Sequence, residues 1–169
     1  SVLTDPDFFF FLLADITAAR EVLTIPLLRK EFIVDRYQIA EAKAYGADII
    51  LLIAACLSPE EIEEFSSYAK SLGLNVLLEV HNEEELVANI FDTIDAIGVN
   101  NRNLKDFTVS LDHSYDLVNK IPNSYIKVSE SGISDPQTIK DLKSKGFDSF
   151  LIGENFMKTT DPATAIKEF

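Results

Sequence analysis

Polar side chains follow five of the six apolar, strand-like runs in this sequence, at the point where each run ends. The groups are Lys30 with Glu31, Glu79 with residues 81–82, residues 100–103, residues 129–132 and residues 153–155. Parallel strands bring their carboxyl ends to one face, so we expect these groups to converge on one cavity. A lysine among carboxylates and amides can donate or accept protons at a bound substrate. The spacing therefore predicts an acid–base site.

Glycines after the last two strand-like runs predict that the same cavity binds a phosphate group. Gly132 and Gly153 would let an anion approach backbone N–H groups closely. The segment "GENF" consists of Gly153 and the three residues that follow it, beginning with Glu154, and it predicts a short helix at this point. A phosphate commonly binds at the corresponding place in barrel enzymes. The expected ligand is therefore a phosphorylated small molecule.

The elements that must position these groups alternate along the chain. Apolar runs predict strands at residues 25–29, 48–53, 75–80, 96–100, 125–129 and 149–152. Amphipathic segments predict helices at residues 15–22, 37–45, 59–72, 83–90, 111–119, 136–145 and 162–169. The strands are continuously apolar, which is typical of a parallel sheet covered on both faces. Repeating units of roughly 25 residues predict one domain of the α/β class, either a doubly wound sheet or a (βα)8 TIM barrel.

Helix boundaries recur with the same local chemistry. Ser58, Asp135 and Asp161 each precede a proline, which places an N-cap before a favourable first helical residue. The segments "YGADIILL", "LGLNVLLEV" and "KGFDSFLIG" repeat one unit in which a glycine ends a helix and a strand follows. These signals support the alternation of helix and strand independently of hydrophobicity.

Composition excludes several classes of function. The 169 residues carry a net charge of −13, which argues against nucleic acid or an anionic membrane as the partner. No apolar run reaches the ~18 residues that a membrane span needs. Cys56 is the single cysteine, so no disulfide forms within the chain, and a reducing, cytoplasmic compartment is expected. We expect Cys56 itself to be a small buried residue rather than a reactive thiol.

Each polar residue also has a purely structural interpretation. Strand-end polar groups cap helices and close turns as often as they act on substrates. Asn101 and Asn103 in "NNRN" are predicted to form turns. His81 is expected near a helix start rather than as a catalytic base, and residues 83–85 form an acidic first turn favoured by the helix dipole.

Several stretches together resemble the indole-3-glycerol phosphate synthase family of tryptophan biosynthesis. They are "PLLRKEFIVDRYQIAEAKAYGADIILLIAACLS", "LLEVHNEEEL", "IGVNNRNLKDFTVSLD", "KVSESGIS" and "FLIGENFM", and the resemblance covers essentially the whole chain. It implies a (βα)8 barrel that closes an indole ring on a carboxyphenylamino-deoxyribulose phosphate, losing carbon dioxide and water. Neither a cofactor nor a metal is implied.

The resemblance also implies roles for individual residues. Lys30 would be the general acid at the substrate carbonyl, and Glu79 a catalytic acid–base carboxylate. Asn100 and Arg102 would hold the substrate's carboxylate and hydroxyls. The remaining implied site residues are Glu130 and Ser131 in the active-site motif, Gly132, Gly153 and Glu154 at the phosphate, and Phe9, Phe32 and Leu51 around the aromatic ring.

Two departures from the family pattern affect these expectations. The family has a first strand with a further catalytic Glu and Lys before "SVLTD", so the barrel is expected to be incomplete, and the isolated chain weakly active or inactive. The family also has a polar turn after "DPDFF", where this chain continues with Phe10 to Leu13. Open sheet edges and the apolar patch at residues 8–13 predict self-association. The alternatives are a non-catalytic barrel fragment and another phosphate-binding barrel enzyme.

Overall fold

A computed structural model describes residues 1–4 and 12–169. Seven strands lie in these residues: β1 Val2–Leu3, β2 Leu28–Lys30, β3 Ile49–Ile53, β4 Asn75–Val80, β5 Ala96–Asn100, β6 Ile126–Glu130 and β7 Ser149–Leu151. The helices are α1 Leu13–Val22, α2 Arg36–Ala44, α3 Pro59–Ser71, α4 Glu83–Ala88, α5 Asp112–Leu117, α6 Pro136–Lys145, α7 Glu154–Met157 and α8 Pro162–Glu168. No helix among the described residues is long and apolar enough to cross a membrane.

The chain divides into two compact units. The first comprises Ser1–Glu79 with Val87–Asp95, and the second comprises Val80–Leu86 with Ala96–Phe169. In the first unit β1, β2, β3 and β4 pair in parallel and in sequence order. In the second unit β5, β6 and β7 do the same. Neither unit reverses its strand order as a doubly wound sheet does. The prediction of an incomplete (βα)8 barrel is therefore confirmed. That the chain forms a single domain stays a prediction.

The apolar runs form the core of each unit. In the first unit β3 and β4 are buried almost throughout, and Ile39 of α2 and Ile62 of α3 are fully buried. In the second unit Ile97, Val99, Leu117 and Leu142 are buried. Continuous burial of the strands follows from helices lying on the sheet, as the uninterrupted apolar runs predict.

The first predicted strand, at residues 25–29, is wrong at both ends. Strand β2 covers Leu28–Lys30, and Ile25 is 62% exposed. Pro26 has no N–H for a ladder hydrogen bond, and the N–H of Leu27 binds the Asp48 carboxylate instead. The remaining strands and helices agree with the sequence-based ranges to within about two residues, the usual uncertainty of element ends.

The predicted caps are confirmed. The Ser58 hydroxyl accepts the N–H of Glu61 at 3.3 Å, and the Glu61 carboxylate accepts the N–H of Ser58 at 2.7 Å. Asp135 accepts the N–H of Gln137, and Asp161 accepts the N–H of Thr164. These bonds satisfy helix-terminal donors that otherwise have no partner in the helix.

Three aspartates make the same contact at the amino ends of strands. Each aspartate carboxylate accepts a hydrogen bond from the backbone N–H of a residue at, or just before, the start of an earlier strand. The backbone N–H of the same aspartate donates to the carbonyl of that residue. The pairs are Asp48 with Leu27 at 2.7 Å, Asp95 with Val76 at 2.8 Å and Asp148 with Lys127 at 2.9 Å. We call these contacts the aspartate clamps.

Candidate functional site

In the first unit, the carboxyl ends of the strands bring Lys30 and Glu79 together. Lys30 ends β2, Glu79 is the fifth residue of β4, and the distance from Lys30 Nζ to Glu79 Oε2 is 3.5 Å. The Glu79 side chain is 2% exposed, whereas that of Lys30 is 29% exposed. A buried carboxylate thus contacts an ammonium group that still reaches solvent, an arrangement that can hold or move a proton.

The residues that flank Lys30 point elsewhere. Arg29 is buried, and its guanidinium contacts Glu41 at 3.0 Å and donates to the Gln38 carbonyl at 2.7 Å, both on α2. Glu31 accepts a hydrogen bond from the Thr4 hydroxyl at 2.8 Å. Arg29 therefore pairs with α2 and Glu31 with Thr4, which agrees with the alternation of successive side chains between the two faces of a strand. Glu31, which the sequence placed with Lys30 at the cavity, thus has a partner elsewhere.

Of the three residues predicted to surround an aromatic ring, the structure describes Leu51 and Phe32, and these two differ in their environments. Leu51 is 1% exposed within β3, in register with Leu77. Phe32 lies in the turn after β2 and is 46% exposed. Phe9 lies outside the described residues, as does most of the apolar patch at residues 8–13. A wall built by these residues stays a prediction.

In the second unit, the ends of β5 and β6 place two polar side chains in register. Asn100 is the register partner of Glu130, and both are buried. The Asn100 side-chain oxygen accepts the N–H of Arg102 at 2.9 Å, which fixes the turn that leaves β5. In-register residues of neighbouring parallel strands share a face, so these two groups can act on one ligand.

Arg102 begins a small hairpin after β5. It forms an antiparallel bridge with Val109, and the N–H of Asn103 binds the Thr108 carbonyl at 2.8 Å. The guanidinium of Arg102 donates to the carboxylate of Glu154 at the first position of α7. The structure thus joins two of the predicted site residues in one ion pair.

The turn after β6 has an unusual backbone. Ser131 has φ of 67° and Gly132 has φ of 73°, so both adopt the left-handed conformation. A Cβ atom added to Gly132 would lie 2.4 Å from Cγ1 of Val109, which shows how closely the hairpin approaches this backbone. Glycine is required at position 132 by both its dihedral angle and its neighbour.

The predicted short helix after Gly153 is confirmed as α7. The Gly153 carbonyl accepts the N–H groups of Phe156 and Met157, both at 3.0 Å. A Cβ atom at Gly153 would meet nothing within 4 Å. The space beside Gly153 is therefore open, in contrast to that beside Gly132.

Asn101 is the residue that sequence reasoning missed. It was predicted to form a turn, but its side chain is fully buried. Its carboxamide binds Ser129, Ser131 and Ser114. Alternation gives the signal that could have found it: if Asn100 faces the site, then Asn101 faces the opposite, covered side of the sheet.

His81 lies before α4, as expected. Its backbone N–H binds the Glu85 carboxylate at 2.8 Å, and Nδ1 lies 3.2 Å from the same oxygen. Burial raises the pKa of the Glu85 carboxyl, but hydrogen bonds and positive charge from His81, with a further hydrogen bond from Asn82, hold that pKa below its ordinary value. This pairing gives His81 a structural role at the helix start.

The expectation that Cys56 is buried is wrong. Cys56 lies in the turn after β3 and is exposed, because the strand ends at Ile53 and the chain leaves the sheet before the Ser58 cap, although the residues between them are apolar. Among the described residues no group of three or more His, Cys, Asp or Glu side chains is arranged to hold a metal ion.

Comparison with solved structures bears on the fold. The crystal structure of 3-hexulose-6-phosphate synthase from Salmonella typhimurium matches with a TM-score of 0.80 at 18% identity, covering 98% of this chain and 82% of that one. The tryptophan synthase α-subunit of Pyrococcus furiosus matches with a TM-score of 0.68 at 19% identity, covering 86% of this chain and 63% of that one. Identities this low carry an argument about architecture alone.

Sequence relatives are much closer. A protein named indole-3-glycerol phosphate synthase from Bacteroides thetaiotaomicron is 48% identical over 169 residues, which is all of this chain and 65% of the relative. Relatives of the same name from Campylobacter jejuni and Sulfurimonas denitrificans are 47% and 46% identical. The chain spans about 65% of the length of these curated relatives. The family model for indole-3-glycerol phosphate synthase matches residues 1–169. The chain therefore belongs to the indole-3-glycerol phosphate synthase family.

Proposed function

We propose that the protein is an indole-3-glycerol phosphate synthase, a carboxy-lyase of tryptophan biosynthesis. Its substrate would be 1-(2-carboxyphenylamino)-1-deoxyribulose 5-phosphate, from which ring closure, decarboxylation and dehydration give indole-3-glycerol phosphate. The observation that carries the proposal is the contact of Lys30 with the buried carboxylate of Glu79 at 3.5 Å. Family membership over the whole chain supports it.

The pair has the chemistry that ring closure requires. As the aromatic carbon attacks the substrate ketone, negative charge develops on the ketone oxygen, and Lys30 would supply the proton to it. Glu79 would hold the ammonium group in place and accept or return a proton in a later step. Proton transfer by a positioned group typically accelerates a reaction 10²–10⁴-fold. The proposed chemistry uses side chains alone, without cofactor or metal.

Polar groups of the second unit have the chemistry that other parts of the substrate require. Asn100 and Arg102 offer a carboxamide and a guanidinium suited to a carboxylate and hydroxyls, and Glu130 and Ser131 are the further catalytic residues that we propose. The backbone N–H groups around Gly132, Gly153 and Glu154 are the proposed phosphate ligands. Phe9, Phe32 and Leu51 would contact the aromatic ring.

A chimera tests the proposed activity. The 169 residues replace their aligned counterpart in the Bacteroides thetaiotaomicron relative, and formation of indole-3-glycerol phosphate is measured for the chimera and for the unaltered relative. We expect the chimera to form product, and the isolated 169 residues to form little or none. A folded chimera that makes no product while the relative does would refute the proposal.

Another phosphate-binding barrel enzyme is the alternative function. The likeness to 3-hexulose-6-phosphate synthase concerns the fold, at 18% identity. Lys30, Glu79 and Asn100 in their motifs favour the indole-forming reaction over it. Turnover of a sugar phosphate by the chimera, with none of the carboxyphenylamino substrate, would favour the alternative.

We also propose that the isolated chain self-associates and works in a reducing, cytoplasmic compartment. Strand β1 stands at one end of the strand order of its unit, and edge strands can pair with a second chain. Leu12, which lies within the apolar patch at residues 8–13 and is exposed, supports the same idea. Size-exclusion chromatography distinguishes a dimer or larger species from a monomer, and a clean monomer would contradict self-association.

A further inference from the structure

A buried polar cluster lies behind the candidate site in the second unit. It consists of Asn101 after β5, Ser114 on α5 and Ser129 on β6, all fully buried. Ser129 precedes Glu130, and Asn101 follows Asn100, so both lie one residue from groups of the candidate site. The cluster therefore connects the ends of two strands with the helix that covers them.

The hydrogen bonds of Asn101 fix its orientation. Its Nδ2 group donates to the Ser129 hydroxyl and to the Ser131 carbonyl, both at 3.1 Å. Its Oδ1 atom accepts the N–H of Ser114 at 3.2 Å. Both amide hydrogens and the oxygen are used, and each faces a group of the complementary kind. An aspartate here would set an oxygen against the Ser131 carbonyl, and an alanine would leave that carbonyl unsatisfied.

The Ser131 carbonyl belongs to a turn whose backbone conformation is unfavourable on its own. Ser131 is a non-glycine residue with positive φ, and such conformations persist when surrounding contacts hold them. Asn101 supplies one such contact through its side chain, and its backbone N–H adds a bond to the Glu130 carbonyl at 2.9 Å. The Ser131 N–H donates to the Leu151 carbonyl of β7 at 3.4 Å. Contacts with Asn101 and with β7 therefore hold the turn together.

We propose that Asn101 is a positioning residue that holds the turn at Ser131 and Gly132 in the conformation that binds the phosphate group of the substrate. The inference rests on the proposed function for the identity of the ligand. Asn101 touches the reacting atoms in no step. It acts through the Ser131 carbonyl, while Ser129 and Ser114 keep its carboxamide in place.

Two variants of the isolated chain separate positioning from stability. Asn101→Ala removes the bond to Ser131, whereas Ser114→Ala removes the bond of that hydroxyl to Ser129, 2.8 Å away, and leaves the Ser131 contact intact. If Asn101→Ala does not fold, Asn101→Ser serves instead, because its hydroxyl keeps a polar group in the cluster but is too short to replace the Ser131 bond. Unfolding curves establish that the compared variants are folded.

Titration with inorganic phosphate and amide hydrogen exchange are the two measurements. We expect Asn101→Ala to weaken phosphate binding about tenfold and to speed exchange around residues 131–133, while Ser114→Ala changes neither. Equal phosphate affinity in the parent and in Asn101→Ala would overturn the inference, and so would unchanged exchange around the turn. If the parent chain binds no phosphate, the proposed phosphate site fails, while the exchange measurement still decides whether Asn101 holds the turn.

Discussion

The two ends of the strands differ in how their polar residues are used. At the amino ends, Asp48, Asp95 and Asp148 repeat one contact, in which a carboxylate and a backbone N–H bind the start of an earlier strand. At the carboxyl ends, the contacts of the described residues differ from one another: Lys30 meets Glu79, and Arg102 meets Glu154. Repetition is what a stabilising device needs, while a site that binds an asymmetric substrate needs a different group at each position.

This comparison agrees with the general behaviour of barrel enzymes, in which the carboxyl face carries catalysis and the amino face carries stability. The role of a polar residue at a strand end can therefore be inferred from whether the same contact occurs at other strands. A contact that recurs at the amino ends indicates construction of the fold, and a singular contact at the carboxyl ends marks a candidate functional group. Substitutions at the two ends should therefore affect different measured quantities.

The largest expected effect is at Lys30. In the chimera, Lys30→Ala should lower kcat by roughly 10²–10⁴-fold, because the proton donor is lost. Lys30→Arg keeps the positive charge beside Glu79 but cannot release a proton near neutral pH, so it should lose nearly as much. A near-normal rate for Lys30→Arg would assign Lys30 an electrostatic role rather than proton donation.

The two site glycines give the next largest contrast. Gly132→Ala should lower the free energy of unfolding by about 1–3 kcal/mol, because alanine is strained at positive φ and its Cβ meets Val109. Gly153→Ala is the matched control and should cost under ~1 kcal/mol, since its surroundings are open. Adding Val109→Ala to Gly132→Ala should restore part of the loss in denaturant unfolding. Equal losses at both glycines would contradict the close approach at Gly132.

An aspartate clamp should affect stability without affecting chemistry. Asp48→Ala should lower the free energy of unfolding by about 1–2 kcal/mol, because the N–H of buried Leu27 loses its acceptor. Asp48→Asn keeps a side-chain oxygen for that N–H and should lose less. Urea unfolding of both variants and kcat of the folded chimera check this prediction. A drop in kcat at unchanged stability would contradict the assignment of stability to the amino ends and chemistry to the carboxyl ends of the strands.

The smallest expected effect is at Glu154. Its carboxylate pairs with Arg102 and is mostly exposed. The backbone N–H of the same residue is among the proposed phosphate ligands, so the negative charge of the side chain should repel a bound phosphate. Glu154→Gln should strengthen binding of inorganic phosphate by no more than about fivefold, because exposed ion pairs contribute roughly 0–1 kcal/mol. Titration calorimetry measures this, with Glu83→Gln, which removes a surface partner of Lys120, as the control. Weaker phosphate binding in Glu154→Gln would mean that the Glu154 carboxylate assists phosphate binding rather than repelling it.

The sequence predicted best what depends on neighbouring residues. The caps at Ser58, Asp135 and Asp161 and the helix after Gly153 are set by local hydrogen bonds, so their positions were predictable. The parallel βα order followed from the continuous apolar runs.

What the sequence could not predict depends on contacts between distant residues. In the sequence Asn101 has the pattern of an ordinary turn-forming residue. Its buried position becomes visible only in the fold, where its side chain binds three serines from other parts of the chain. The repeated "GAD" and "GFD" segments were visible, but the backbone N–H groups that their aspartates bind lie 21 residues earlier. Cys56 was misjudged because its neighbours are apolar, although the strand had already ended.

The most direct test measures both quantities on two variants of the chimera. Lys30→Ala and Asp48→Ala are compared with the parent for kcat and for the free energy of unfolding. We predict that Lys30→Ala loses kcat at nearly unchanged stability, and that Asp48→Ala loses stability at nearly unchanged kcat. If each variant lowers both quantities to the same degree, then the separation of chemistry and stability between the two strand ends is wrong.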